Sequence, residues 1–244
     1  MTDAFFRTLA REASASYPRR EHFARHFAFG KLTGDPAFAH LLGAALVPEG
    51  ARVLDIGSGQ GLICALLNAA CVRVDRGEWP QERAAPPRLA RYTGIELMAR
   101  DAERGRAMAT HWASPTATSF VVGDMRDTEF PHSDVVVILD VLHYVNYDAQ
   151  AAILERVRAA LAPRGTLLVR VGDEAPTFRF RYTLAIDRIV MALRGHRLPR
   201  LWCRPLAQWI EALRALGFRV EATPMSAGTP FANVLLVARY DQSP

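Results

Sequence analysis

Val53-Leu54-Asp55-Ile56-Gly57-Ser58-Gly59-Gln60-Gly61 is the stretch on which the reading of this chain turns. Val53, Leu54 and Ile56 form a short apolar run ending in glycines, and Leu62 to Ala70 then carries apolar residues in a helix-like stretch. The order is strand, loop, helix. Glycines at alternate positions let the backbone turn sharply and approach a ligand without a Cβ collision, while the first turn of the helix offers unpaired N–H groups. In an open parallel sheet, ligands bind outside the carboxyl ends of the strands, where this loop would lie. Two fingerprints do not fit. G-x-G-x-x-G counted from Gly57 and Gly59 meets Leu62 where the third glycine should stand, and no lysine follows Gly61 as a P-loop requires.

The same alternation continues outward from the loop. Strands are predicted at Tyr92 to Leu97, Thr118 to Val122, Val135 to Leu139 and Thr166 to Val171, with helices at Ala99 to His111 and Ala149 to Leu161. This is an α/β pattern, a parallel sheet flanked by helices. Residues 1–47 read as an N-terminal helical cap, in which Asp35-Pro36 forms an N-cap and first-turn pair. Residues 50–172 form the core. Residues 173–204 are a basic amphipathic insertion, with Tyr182, Ile186, Ile189, Val190 and Leu193 at helical spacing and Arg181 and Arg188 off that stripe. Residues 205–244 supply a last helix and two strands, Phe218 to Ala222 and Val234 to Ala238, expected as an antiparallel edge. One domain spans 1–244.

Composition bounds the function. The chain has 244 residues, 50% hydrophobic and 23% charged, and at this size it buries roughly 70% of its unfolded surface without staples. Cys64, Cys71 and Cys203 form no close CxxC pair, so neither a disulfide framework nor a zinc knuckle is expected, and reduced thiols suit a cytoplasmic location. Asp3, Arg7, Arg11 and Glu12 interrupt the stretch where a secretion signal needs an apolar core. Runs such as Leu41 to Val47 are too short to span a bilayer. The chain reads as soluble. Among 30 basic residues Lys31 is the one lysine; seven arginines and three acids lie between Asp173 and Pro205.

The nine-residue stretch resembles motif I of the class I S-adenosylmethionine-dependent methyltransferases, an acid followed by G-x-G-x-G, through Asp55, Gly57, Gly59 and Gly61. Gly94-Ile95-Glu96-Leu97 resembles the family's second-strand end, which implies that Glu96 accepts hydrogen bonds from the ribose hydroxyls. Asp75 is a competing acid should the second strand lie at Val72 to Asp75 instead. Val122-Gly123-Asp124-Met125 resembles the adenine-reading segment, and Leu139-Asp140-Val141-Leu142-His143-Tyr144 the segment beside the methionine moiety and the substrate. The resemblance covers about residues 50–172. The loop from Ala70 to Arg91 is longer than the family commonly uses.

The resemblance implies a Rossmann-like seven-stranded, mostly parallel sheet with helices on both faces. It also implies S-adenosyl-L-methionine as cofactor and S-adenosyl-L-homocysteine as product, with Asp55, Gly57, Ser58, Gly59, Gln60, Gly61, Glu96, Leu97, Asp124, Met125 and Asp140 around them. No metal is required. His143 is the expected base for a phenol or hydroxyl, histidine being matched to neutral pH. Tyr144 and Phe27 are expected at the substrate, and Phe5, Phe6, Tyr17, Phe23, Phe29, Phe178, Phe180 and Tyr182 extend the aromatic supply. A small aromatic acceptor follows. Exocyclic amines on nucleic-acid bases are disfavoured, because the [DN]-P-P-[YF] stretch common in nucleic-acid amino methyltransferases is missing after the fourth strand.

The arginine segment suits an acyl carrier protein, an anionic membrane surface or RNA, the first two favoured because few stacking aromatics interleave the charge. The overall pattern is similar to methyltransferases of bacterial aryl polyene pigment pathways, implying an aromatic head group on a carrier. An RNA or protein methyltransferase, and a cofactor-binding module without turnover, are the rival readings.

Overall fold

A computed structural model describes residues 3–110, 112, 116–172, 201–226, 228 and 232–240. The chain divides into two compact units, Met1–Glu129 and Phe130–Pro244. Its strands form one seven-stranded sheet in the order β3-β2-β1-β4-β5-β7-β6.

The first unit opens with three helices, α1 (Ala4–Ala15), α2 (His22–Gly34) and α3 (Pro36–Gly43). Asp3 caps α1 by accepting the Phe6 N–H at 2.7 Å, and Asp35 caps α3 by accepting that of Ala37 at 3.1 Å, with Pro36 in the first turn. Each cap satisfies an amide that has no intrahelical partner. Then follow β1 (Arg52–Ile56), α4 (Leu62–Asp75), β2 (Arg91–Glu96), α5 (Ala99–Ala109) and β3 (Ala117–Val122). β1 pairs in parallel with β2, and β2 with β3.

The long connection between α4 and β2 is bound to α1. Arg73 forks onto Glu12 at 2.6 and 2.7 Å, and Arg83 pairs with Asp3. The Phe5 ring meets Trp79 edge-on at 5.2 Å, with the Arg73 and Arg83 guanidiniums 5.4 and 4.7 Å from its centroid. The extra length therefore clasps the N-terminal helix. α4 also decides between the rival acids. Asp75 is its last helical residue, more than half exposed and paired with Arg88, so no second strand lies there.

The second unit holds β4 (Ser133–Leu139), a 3₁₀ turn (Leu142–Tyr144), α6 (Tyr147–Ala160), β5 (Leu161–Gly172), α7 (Leu206–Ala215), β6 (Phe218–Pro224) and β7 (Asn233–Tyr240). β4 and β5 run parallel. Val135 to Ile138 and Leu167 to Val169 are buried without a break, as strands covered on both faces require. β7 runs antiparallel to both β5 and β6. The expected antiparallel pair is present, but of its two strands only β6 lies at an edge of the sheet and β7 is interior. The helix expected near Arg181 to Leu193 lies outside the described residues.

Candidate active site

β1 ends at Ile56, and the backbone turns through Gly57, Gly59 and Gly61 at φ of 74°, 55° and 83°. These are left-handed values that side chains with a Cβ adopt at a penalty of about 1–2 kcal/mol. Gly61 is the N-cap of α4. The Gly57 and Ser58 amides donate to the Ile95 carbonyl at 2.8 and 3.1 Å, which fixes the turn against β2.

Packing beneath the loop depends on a residue that the sequence patterns did not single out. A Cβ on Gly61, Gly94 or Gly105 would lie 2.5, 2.9 or 2.5 Å from the Phe120 ring. One aromatic ring fills the room left by three glycines from the loop, β2 and α5. The Phe120 ring lies 5.7 Å from that of Tyr92, and the Tyr92 hydroxyl donates to Asp55 at 2.6 Å. Phe120 stands opposite Gly94 in the β2–β3 register. That pairing was the available signal, since a large residue beside a glycine on a neighbouring strand marks a close approach.

The first unit gathers most of the expected cofactor residues, with differing roles. Glu96, at the end of β2, accepts the Gly59 amide at 2.8 Å on one carboxylate oxygen and the Met98 amide at 2.8 Å on the other. Asp124 lies beyond the end of β3 with its carboxylate held by Arg126, whose hydrogen bonds keep it below the usual carboxylate range. Met125 sits in the turn that follows. Leu97 is 53% exposed and Val122 44%. Together with Glu96 they present an apolar surface beside a charge-assisted acceptor, the chemistry a nucleoside needs.

Two members of the expected set face inward. Asp55 is buried against Tyr92, and burial, with the Glu96 charge as the smaller contribution, raises its pKa to about 7. Gln60 is 2% exposed and donates its side-chain amide to the Ala24 carbonyl at 2.8 Å, while its own carbonyl accepts the Tyr17 hydroxyl at 3.0 Å. Their side chains therefore brace the loop from beneath and tie it to the helical cap. Ser58 Oγ, by contrast, is shielded from solvent and lacks a hydrogen-bond partner among the described residues. Space beside Gly59 is open, nothing standing within 4 Å of a Cβ placed there. An open glycine edge and an orphaned hydroxyl fit a ligand seated on the main chain.

In the second unit, Asp140 follows β4 with φ of 58°, unusual for a residue other than glycine. Its carboxylate accepts Arg170 Nε at 2.8 Å and Nη2 as well, and Arg170, on β5, is 1% exposed. That carboxylate orders the chain after β4. His143 and Tyr144 occupy the 3₁₀ turn, their rings 4.3 Å apart edge-on. His143 Nε2 is shielded from solvent, and burial lowers the ring pKa to about 4, partly opposed by the Asp140 charge.

The turn is tied to the end of the arginine segment. Fully buried Gln150 donates to the Leu142, Val145 and Trp202 carbonyls at 3.1, 3.1 and 2.8 Å, and accepts Arg204 Nε at 2.8 Å. Arg204 also lies 4.6 Å from the Tyr147 ring centroid. It is therefore structural, which leaves six arginines of the segment, 179 to 200, outside the described residues. Phe27, on α2 of the first unit, stacks with Phe23 at 6.0 Å, and both are exposed.

A sheet in this order, with a glycine turn after β1 and acids closing β2 and β3, defines a class I S-adenosylmethionine-dependent methyltransferase. A family model described as a methyltransferase domain matches residues 24–223, and the chain belongs to that family. Its methyl donor is S-adenosylmethionine. No curated protein sequence matches.

Among solved structures, an O-methyltransferase family protein from Burkholderia thailandensis is 18% identical with a TM-score of 0.60, over 92% of this chain and 62% of that one. Mitomycin 7-O-methyltransferase is 24% identical with a TM-score of 0.57, over 91% and 59%. Magnesium protoporphyrin IX methyltransferase from Synechocystis, with S-adenosylhomocysteine bound, is 16% identical with a TM-score of 0.58, over 98% of both chains. This chain thus spans about three fifths of the first two, and the likeness is one of fold. Among the described residues no helix is long and apolar enough to cross a membrane, and no cluster of three His, Cys, Asp or Glu could hold a metal.

Proposed function

We propose that the protein methylates a small aromatic or phenolic acceptor. The observation that carries this is the Phe23–Phe27 pair, stacked and exposed on the helix whose Ala24 carbonyl is bound by Gln60 of the glycine loop. Such a pair offers a flat apolar surface suited to a planar ring. In this reading Gly57, Ser58, Gly59 and Gly61 approach the donor through the main chain, Glu96 takes the ribose, and Leu97, Asp124 and Met125 take the base. Asp55 and Gln60 hold the loop, Asp140 orders the segment after β4, and Tyr144 and Phe27 meet the acceptor.

The cofactor's sulfonium, when bound, supplies an already activated methyl group for in-line displacement, so the protein has mainly to align the partners and exclude water. His143 would accept the phenol proton on a ring nitrogen as the oxygen takes the methyl group. With a pKa of about 4 it is neutral throughout the working range, which a base requires. The same low pKa makes it a weak base, so its contribution falls at the low end of the usual 10²–10⁴-fold range.

His143→Ala should lower kcat about 100-fold and leave cofactor affinity within two-fold; unchanged turnover would reduce His143 to a packing residue. The wild-type rate should stay level from pH 8 down to about 5, without a step near 6.5. Stability follows the same group. Its folded pKa lies below the unfolded value of about 6.5, so the stability it contributes is complete above 6.5 and is lost as pH falls through 4.

The test of function is incubation with methyl-labelled cofactor and cell extract, then fractionation. Label in extractable aromatics, or on a carrier protein as a thioester-linked aromatic group, supports the reading. The latter would also give the six remaining arginines of residues 173–200 an acidic partner. Label retained only on RNA or on protein side chains would replace it with the macromolecular alternative. Cofactor binding with no product in any fraction would favour a module without turnover.

A further inference from the structure

The N-terminal helices hold an arginine face that their own acids leave unanswered. Residues 3–35 carry four carboxylates, each committed to another cation: Asp3 to Arg83, Glu12 to Arg73 at 2.6 Å, Glu21 to Arg104 at 3.1 Å and Asp35 to Lys31 at 2.9 Å. Arg73, Arg83 and Arg104 lie beyond these helices, on α4, in the loop after it and on α5. Arg7, Arg11, Arg19, Arg20 and Arg25 are therefore left without a carboxylate among the described residues, and all but Arg25 are exposed.

Local geometry gathers them. Arg7 and Arg11 stand one turn apart on α1, their guanidiniums 5.4 and 5.9 Å from the centroid of the Phe29 ring on α2. Arg25 precedes Phe29 by one turn of α2 and shares its face. Arg19 and Arg20 lie in the connection between the two helices. Two like charges are thus held over one ring, and an anionic partner would relieve their repulsion.

The surroundings choose among anionic partners. The exposed large apolar side chains of the described residues are Phe23, Phe27, Leu97, Val121, Val122 and Tyr147, none of them on α1 or on this flank of α2. At about 100° per residue, Phe23 and Phe27 fall roughly 160° round α2 from Arg25 and Phe29. A bilayer surface needs apolar side chains to bury beside the charge. A single-stranded nucleic acid gains from rings free to stack, whereas Phe29 already lies beneath two guanidiniums. An acidic helix needs neither. Carboxylates one turn apart on it would match Arg7 and Arg11 one turn apart on α1.

We propose that the α1–α2 arginine face docks a small acidic helical protein that carries the acceptor on a flexible arm. This rests on the reading of the protein as a methyltransferase of aromatic acceptors. α2 then has two working flanks, one for the carrier and one, with Phe23 and Phe27, for its cargo, separated by the ~10 Å width of a helix.

The test uses the full chain and an acyl carrier protein bearing a 4-hydroxybenzoyl thioester, with the N-acetylcysteamine thioester of the same acid as the acceptor without a protein. Carrier binding is followed by fluorescence anisotropy, and methyl transfer to both acceptors by label. Wild type is compared with Arg7→Glu plus Arg11→Glu and with Arg7→Gln plus Arg11→Gln. The charge reversal should weaken carrier binding on the order of 30-fold and the neutral pair about 5-fold. The kcat/KM for the carrier-bound acceptor should fall by the same factors, and that for the free thioester should stay within two-fold. Raising salt from about 50 to about 300 mM should weaken wild-type binding about 10-fold. Because both side chains are exposed, affinity for S-adenosylhomocysteine should hold within two-fold and the melting temperature within about 3 °C.

A carrier that does not bind, binding unchanged in the charge reversal, or a free thioester used as well as the carrier-bound one would each overturn the proposal, the last leaving the aromatic reading intact. Tighter binding of phosphatidylglycerol vesicles or of a single-stranded RNA through the same arginines would overturn it too, by putting a membrane or a nucleic acid there instead. A carrier bound through these arginines, with neither acceptor methylated, would uphold the docking face and overturn the aromatic reading.

Discussion

Gly61→Ala is expected to weaken S-adenosylmethionine and S-adenosylhomocysteine binding by at least 100-fold and to lower the melting temperature by several degrees. Two effects add. The residue sits at φ of 83°, where a Cβ carries a strain of about 1–2 kcal/mol. That Cβ would also stand 2.5 Å from Phe120 Cζ and 3.3 Å from Met108 Cε. Overpacking of a closed core typically costs about 1–3 kcal/mol. Phe120 has little room to withdraw, since the same ring fills the space beside Gly94 and Gly105.

The argument can be separated into its parts. Phe120→Leu in the Gly61→Ala background should recover part of the lost stability and leave the backbone strain. Gly105→Ala tests the packing alone. Helix propensity favours alanine within α5 by about 1 kcal/mol, yet its Cβ would meet Phe120 at 2.5 Å. The variant should be less stable than wild type. An affinity for the spent cofactor within three-fold of wild type in Gly61→Ala would refute the account of the cradle.

Glu96→Gln carries the other large effect, an expected rise of about 100-fold in the dissociation constant for both forms of the cofactor. Each carboxylate oxygen now accepts a backbone amide at 2.8 Å, from Gly59 and from Met98. An amide in its place keeps one acceptor and turns a donor toward the other N–H. Leaving a buried amide unsatisfied costs about 1–3 kcal/mol, and the charge-assisted character of both bonds is lost. In the proposed reading, the ribose hydroxyls would lose the same acceptor.

A second measurement ties this result to the structure. Burial, then the Glu96 charge, holds Asp55 at a pKa of about 7, against about 3.9 in an unfolded chain. A carboxyl raised on folding contributes stability that is complete below the unfolded value and lost as pH rises through the folded one. In wild type that loss ends near pH 7. In Glu96→Gln the window should close at lower pH, because the neighbouring charge is gone. Unfolding followed between pH 4 and 8 would show it, and an unshifted window would mean that Asp55 and Glu96 do not interact.

Legibility of the site followed the kind of interaction. Glu96 was singled out because Gly94-Ile95-Glu96-Leu97 resembles the family's second-strand end. Asp55 and Gln60 stood in the glycine motif, yet their side chains face inward, toward Tyr92 and Ala24. Motif spacing reports where a residue lies along the chain and not which way it points. His143 was readable as a titratable group after a strand, but its burial, and hence its low pKa, comes from what packs around the 3₁₀ turn.

By itself, the sequence determined the α/β alternation, the glycine turn and the helix cap at Asp35. These depend on periodicity, φ requirements and hydrogen bonds spanning a few residues. Only the tertiary structure decided that Phe120 supports three glycines, that the long loop clasps α1, that β7 enters the sheet between β5 and β6, and that Arg170 commits Asp140. Each of these joins residues far apart in the chain, and the energy that selects them exists only once distant side chains share the same space.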